Sequence, residues 1–279
     1  MNKKHRWGRI YLVFVFILMY APIFYMIFFA FNKGDYMTEF TGFSLKHFAN
    51  MFADLRLMGI LLNTFIIAFL SSLLATLIGT FGALGIYQTK RAGMRNFMLS
   101  LNNILLVSPD VIIGASFLIL FTMLGLTLGF GSVLIAHVAF SIPIVVLMVL
   151  PRLNEMDSAL IRAAQDLGAN SWQVLSRVIL PYTWPGILAG FFMAITYSLD
   201  DFAVTFFVTG NGFSTLSVEI YARARHGIDL SINALSALMF GVSLILVMIY
   251  YYITNRTGRS ALTKHEEAVV ESSEMVVHR

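Results

Sequence analysis

Asp157-Ser-Ala-Leu-Ile-Arg-Ala-Ala-Gln-Asp-Leu-Gly-Ala-Asn-Ser-Trp-Gln-Val-Leu-Ser-Arg-Val-Ile-Leu-Pro181 is a polar stretch between two long apolar segments. It reads as two short helices around a glycine. Asp157 or Ser158 can cap the first helix. Leu160, Ala163, Ala164 and Leu167 recur at i, i+3, i+4 and i+7 and form one apolar face. Gly168 stands where a helix stop needs a left-handed residue. Asn170 with Gln173 three residues on is a capping pair for the second helix. Pro181 and Pro185 punctuate entry to the next apolar run. A loop with this much helical order, and small alanines on its apolar face, suits docking into another protein.

The loop resembles the cytoplasmic coupling motif of bacterial ABC importer permeases, whose pattern is Glu-Ala-Ala, three residues, Gly, nine residues, Ile-x-Leu-Pro. Here Ala163-Ala164 is followed after three residues by Gly168, and Val178-Ile179-Leu180-Pro181 follows after nine more. Arg162 stands in place of the glutamate and Val178 in place of the isoleucine. The resemblance implies that Leu160, Ala163, Ala164, Leu167, Gly168 and Pro181 serve coupling to a separate ATPase. Arg162 puts in question any contact that would rely on the missing carboxylate.

The composition is that of a membrane protein. Hydrophobic residues make up 58% of the chain and charged residues 12%, against about 25% charged in soluble domains; mean hydropathy is +0.79. Without cysteine, disulfides and thiolate metal sites are excluded. The histidines (His5, His47, His137, His226, His265 and His278) show no pair at ligand spacing, so no protein-built metal site is expected. The net charge of +4 fits membrane topology better than nucleic-acid binding.

Six apolar segments are long enough to span: Ile10–Phe31, Ile60–Ile86, Ile104–Leu124, Val133–Leu150, Gly186–Phe207 and Asn233–Ile253. The fourth is short and contains Pro143, so a kink is expected. Phe97–Val107 is either the start of the third span or an interfacial lead-in. Lys3, Lys4, Arg6 and Arg9 precede the first span as in a signal peptide, but the apolar run is too long and lacks a cleavage site, so a retained helix is expected. With the N-terminus inside, the inner segments hold 14 of the 19 lysines and arginines, as the positive-inside rule requires. Both termini and the loop at 152–181 are then cytoplasmic. The expected organisation is a cytoplasmic N-terminus at 1–9, a first span with its outer loop at 10–58, a core at 59–255, and an unstructured cytoplasmic tail at 256–279 that is acidic after Lys264.

Three carboxylates fall within these spans: Asp110, Asp200 and Asp201. Such residues face a bundle interior or a watery path. Asp200 and Asp201 have no lysine or arginine in their span, and Tyr197, Phe202, Phe206 and Phe207 surround them, a setting that attracts organic cations. The other reading is that these acids cap a helix break or bind backbone donors. Asp110 follows Ser108-Pro109, a helix-start signal with serine as cap, so it is either a capping acid or part of the cation path. Gly186 and Gly190, four apart, permit close helix packing, whereas Gly125 and Gly129 fall in an outer turn.

Ser198-Leu-Asp-Asp-Phe202, Ser108-Pro-Asp110 and Phe207-Val-Thr-Gly210 resemble the spermidine/putrescine branch of these permeases, and the likeness runs from about Ile10 to Ile253. It implies an all-α, six-helix type I importer permease in the bacterial cytoplasmic membrane, translocating polyamines past Asp200, Asp201, Asp110, Tyr197 and Phe202. The implied partners are a second permease subunit, a cytosolic ATPase dimer holding ATP and magnesium, an extracytoplasmic polyamine-binding protein and lipid. No cofactor is expected on this chain and no nucleic acid. No Gly-Lys dipeptide occurs, so there is no phosphate-binding P-loop. A permease for a metal or thiamine remains open. A lone secondary transporter conflicts with the coupling motif. An intramembrane aspartyl protease needs two carboxylates that share a proton, and neighbours on one helix diverge.

Overall fold

The structure, a computed structural model, describes residues 3–226 and 230–252; the expected unstructured tail at 256–279 lies outside the described residues. Among them the chain is helical, with no strand beyond one isolated bridge between Asn32 and Phe43. The helices are α1 (Lys3–Ala30), α2 (Lys46–Ala53), α3 (Leu55–Gln88), α4 (Ala92–Val107), α5 (Asp110–Met123), α6 (Phe130–Glu155), α7 (Ser158–Asp166), α8 (Ser171–Val174), α9 (Leu180–Asp200), α10 (Ala203–Val208), α11 (Leu216–His226) and α12 (Leu230–Tyr252). Five helical runs are long and apolar enough to cross a membrane, and six spans result if the bent pair α4–α5 is one.

Two of the six expected spans are broken. The third, placed at Ile104–Leu124, straddles a 106° bend between α4 and α5. Pro109 disfavours helical backbone at the residue before it, and Ser108 is extended with ψ 138°. Ser108 is not the cap of α5: its hydroxyl donates back to the Ile104 carbonyl at 2.7 Å, and Pro109 holds the cap position with Asp110 in the first turn. The fifth, placed at Gly186–Phe207, stops at Asp200 and resumes as α10. The fourth is longer than expected, because α6 runs through both Pro143 and Pro151.

One compact unit comprises Met1–Leu62 with Leu216–Leu244. Ala30, Met51, Leu57, Leu216, Ala234 and Leu235 form its core. Buried Asn32 organises the loop after α1. Its amide donates to the Tyr36 and Glu39 carbonyls, and its oxygen accepts from the Thr41 N–H. Asp54 accepts from the Leu57 N–H at the start of α3. Arg223 of α11 bridges Asp54 and the buried Glu219, both at 2.8 Å. The Arg223 hydrogen bond, with the Leu57 N–H, holds the Asp54 carboxyl below its usual range.

The second unit comprises Asn63–Thr215 with Ile245–Arg279. Its helices pack at glycines. A Cβ on Gly79 of α3 would lie 2.7 Å from Val145 Cβ of α6; one on Gly190 of α9 would lie 3.2 Å from Val145 Cα. One on Gly186 would lie 2.8 Å from the Met148 carbonyl. Backbones approach this closely only where no side chain intervenes, the small-residue packing of membrane helices. Gly190→Leu is therefore expected to force α6 and α9 apart. The cost is about 2 kcal/mol, read as a lower thermal midpoint in detergent; an unchanged midpoint would contradict this packing.

Candidate functional site

The stretch from Asp157 to Pro181 folds as its capping chemistry dictates. Asp157 accepts from the Ala159 N–H at 2.8 Å and starts α7. Gly168 ends it at φ +81°, with the Ala169 N–H donating to the Ala164 carbonyl at 3.0 Å. Asn170 and Gln173 form a reciprocal capping box at 2.9 Å in both directions. The chain then passes through a π-helical turn, Leu175–Ile179, into α9, where Pro181 is in the first turn. Pro181 and Pro185 supply no N–H to the ladder, and the Thr183 hydroxyl donates to the Ile179 carbonyl at 2.8 Å.

The apolar face read from α7 divides in two. Ala164 turns inward with Ile161 against the second unit's core. Leu160, Ala163 and Leu167 point outward, with Leu160 46% and Leu167 89% exposed. Trp172, at the start of α8, is 68% exposed. Gly168 and Pro181 are also exposed. Arg162 stays on its own helix, donating to the Ser158 hydroxyl at 2.7 Å.

The acidic residues lie at the breaks of the helices. Asp110, in the first turn of α5, is exposed and accepts from the Tyr197 hydroxyl of α9 at 3.1 Å. The Tyr197 ring stands edge-on to Phe140. Phe202 follows the break and meets the Phe206 ring at 5.4 Å. Asp110 and Tyr197 are thus brought together.

Asp200 and Asp201 diverge. Asp200 is the last residue of α9; it is exposed, with no salt bridge or side-chain hydrogen bond among the described residues. Asp201 turns inward, its side chain only 7% exposed. Its carboxylate accepts from the Val204 N–H at 3.2 Å, the Thr205 N–H at 2.8 Å and the Thr205 hydroxyl at 2.7 Å. This carboxylate caps the first turn of α10, the helix-break reading left open above.

Around Asp201 lies a buried polar chain that the sequence reading did not single out. His137 of α6 is fully buried. Its Nδ1 is 2.7 Å from the Ser198 hydroxyl, its Nε2 is 2.8 Å from the Thr205 hydroxyl, and Asp201 Oδ2 is 3.5 Å away. Ser198 is in turn 3.2 Å from the Ser71 hydroxyl of α3. Asp201 followed by the apolar Phe-Ala-Val is a capping signal in sequence. Nothing local ties it to a histidine on another helix.

The family model described as "Binding-protein-dependent transport system inner membrane component" matches residues 75–259. The "Spermidine/putrescine transport system permease protein PotC" of Haemophilus influenzae is 34% identical over 244 residues, covering 88% of this chain and 95% of that protein. The "Putrescine transport system permease protein PotI" of Escherichia coli (strain K12) is 30% identical over 268 residues, covering 94% and 95%. Among solved structures, a bacterial ABC transporter that imports the acidic polysaccharide alginate superposes with a TM-score of 0.69 at 17% identity, covering 91% of this chain and 96% of that one. The chain therefore belongs to the binding-protein-dependent transport system inner membrane components: it is a multi-pass membrane permease subunit of an ABC importer, with the type I importer permease fold.

Proposed function

We propose that this permease translocates polyamines, spermidine or putrescine, and that Asp200 is the charge on their route. The observation that carries the reading is the exposed Asp200 carboxylate at the end of α9, with no cation paired to it among the described residues. Tyr197 and Phe202 flank it in sequence with aromatic faces suited to ammonium groups, and Asp110, hydrogen-bonded to Tyr197, adds a second carboxylate. The similarity to permeases named for spermidine and putrescine supports the same substrate class.

In this reading the termini and the loop at 152–181 are cytoplasmic, and Leu160, Ala163, Leu167 and Gly168 meet an ATPase dimer. Ala164 holds α7 from the inner side. ATP and magnesium reside on that ATPase, which drives alternating access through α7. A second permease subunit completes the path, and an extracytoplasmic binding protein delivers the polyamine.

One charge pair at 4 Å and an effective dielectric near 20 is worth about 4 kcal/mol before desolvation. A partly hydrated site keeps part of that, and about 1.4 kcal/mol corresponds to tenfold. Asp200→Asn keeps the shape and removes the charge. In the assembled transporter it is expected to lower spermidine uptake about tenfold and putrescine uptake about threefold, since spermidine has more ammonium groups to lose a partner. Uptake of both at the wild-type rate would overturn the polyamine reading of this site.

A further inference from the structure

We propose that His137 is a positioning residue for the cation path: its two ring nitrogens staple the end of α9 to the start of α10 and so hold the break that presents Asp200. The inference rests on the polyamine reading of Asp200.

Counting hydrogens fixes the Asp201 end of the network. The Thr205 hydroxyl donates its only proton to Asp201. Its oxygen can then only accept from His137, so Nε2 carries a hydrogen. On the other side of the ring Nδ1 lies 2.7 Å from the Ser198 hydroxyl, in hydrogen-bond contact with it. The Ser198 hydroxyl in turn meets the Ser71 hydroxyl at 3.2 Å, and Ser71 also donates to the Ala68 carbonyl at 3.3 Å. Four hydrogen-bond contacts link Ser71, Ser198, His137 and Thr205 in series and end on the Asp201 carboxylate. Hydrogen bonds linked in series inside a low-dielectric core polarise one another.

The staple has a definite place. Ser198 lies two residues before Asp200, and Thr205 lies within α10. His137 thus grips both sides of the break from α6. Asp201, at ψ 123°, leaves the helix there. Without the ring, α9 could continue toward α10 as one helix, with Asp200 re-aimed. An ordinary core histidine would need partners on only one neighbour; this one is divided between the two sides of a break whose last helical residue is an exposed acid with no cation paired to it among the described residues.

The test uses the complete transporter in proteoliposomes, with its binding protein. The measurements are spermidine and putrescine uptake for His137→Leu, His137→Gln, Asp200→Asn and the His137→Leu/Asp200→Asn double variant. His137→Leu is expected to lower the spermidine-to-putrescine uptake ratio about threefold, as Asp200→Asn does. His137→Gln, which keeps one donor and one acceptor, restores the ratio. In the double variant the ratio stays at the Asp200→Asn value, because the histidine acts through that carboxylate. A general packing defect would lower both solutes alike. The proposal is overturned if His137→Leu leaves the ratio unchanged, or if its effect multiplies with that of Asp200→Asn. Should His137→Leu fail to assemble, Ser198→Ala cuts the α9 side of the staple and faces the same two outcomes. If Asp200→Asn itself changes nothing, the polyamine reading fails, which is a different result from a sensitive Asp200 with an indifferent His137.

Discussion

Leu167→Asp is expected to abolish uptake, by at least about a hundredfold, while the chain still inserts and folds. Leu167 is 89% exposed and follows the last residue of α7. A substitution there removes little from this chain's own core and should change its stability by no more than about 0.5 kcal/mol. If the outward ridge of Leu160, Ala163 and Leu167 seats in an ATPase groove, the new carboxylate must be desolvated on docking. That costs several kcal/mol when no cation meets it. Ala164→Asp is the informative contrast. Ala164 packs against the inner core, so its charge should lower the stability of the permease itself. The measurements are ATPase co-purification, transport, and the thermal midpoint of the isolated permease. Wild-type uptake by Leu167→Asp at matched expression would refute the docking ridge. Gly168→Val should act through the backbone, since the αL geometry at φ +81° costs a β-branched residue about 1–2 kcal/mol.

Asp201→Asn is expected to damage the molecule in a way that Asp200→Asn does not. The carboxylate accepts from two backbone N–H groups and from the Thr205 hydroxyl. An amide replaces one acceptor oxygen with a donor that faces another donor. Hydrogen bonds to a charged group are worth about 1.5–3 kcal/mol each, and leaving a buried donor unmet adds to the loss. The thermal midpoint should fall by several degrees, and uptake of both solutes should fall. Asp200→Asn should leave the midpoint unchanged and alter the balance between the two solutes. Equal midpoints for wild type and Asp201→Asn would contradict the capping role.

What the sequence made legible was local. Asp157, Gly168, Asn170 and Gln173 announce α7 and α8 because caps act within one turn, and all four do in the structure what their chemistry suggests. The spacing of Gly186 and Gly190 announced close helix packing for the same reason. The breaks were harder to see. Apolar content continues through Ser108-Pro109 and through Asp201-Phe202, so a hydropathy reading joins what the backbone separates. The division of the α7 face was also hidden, because periodicity cannot say which of two apolar edges meets the chain's own core. His137 was out of reach: its partners Ser198 and Thr205 lie 61 and 68 residues away, and only the packing of α6 against the α9–α10 break unites them.

Uptake of labelled spermidine into proteoliposomes tests the account most directly. The vesicles hold the complete transporter, with its binding protein on one side and Mg-ATP supplied to the ATPase on the other. The expected result is accumulation that requires ATP, is competed by excess putrescine, and is untouched by a neutral amino acid. Accumulation without ATP, or accumulation of some other solute class by a transporter that leaves spermidine outside, would contradict it.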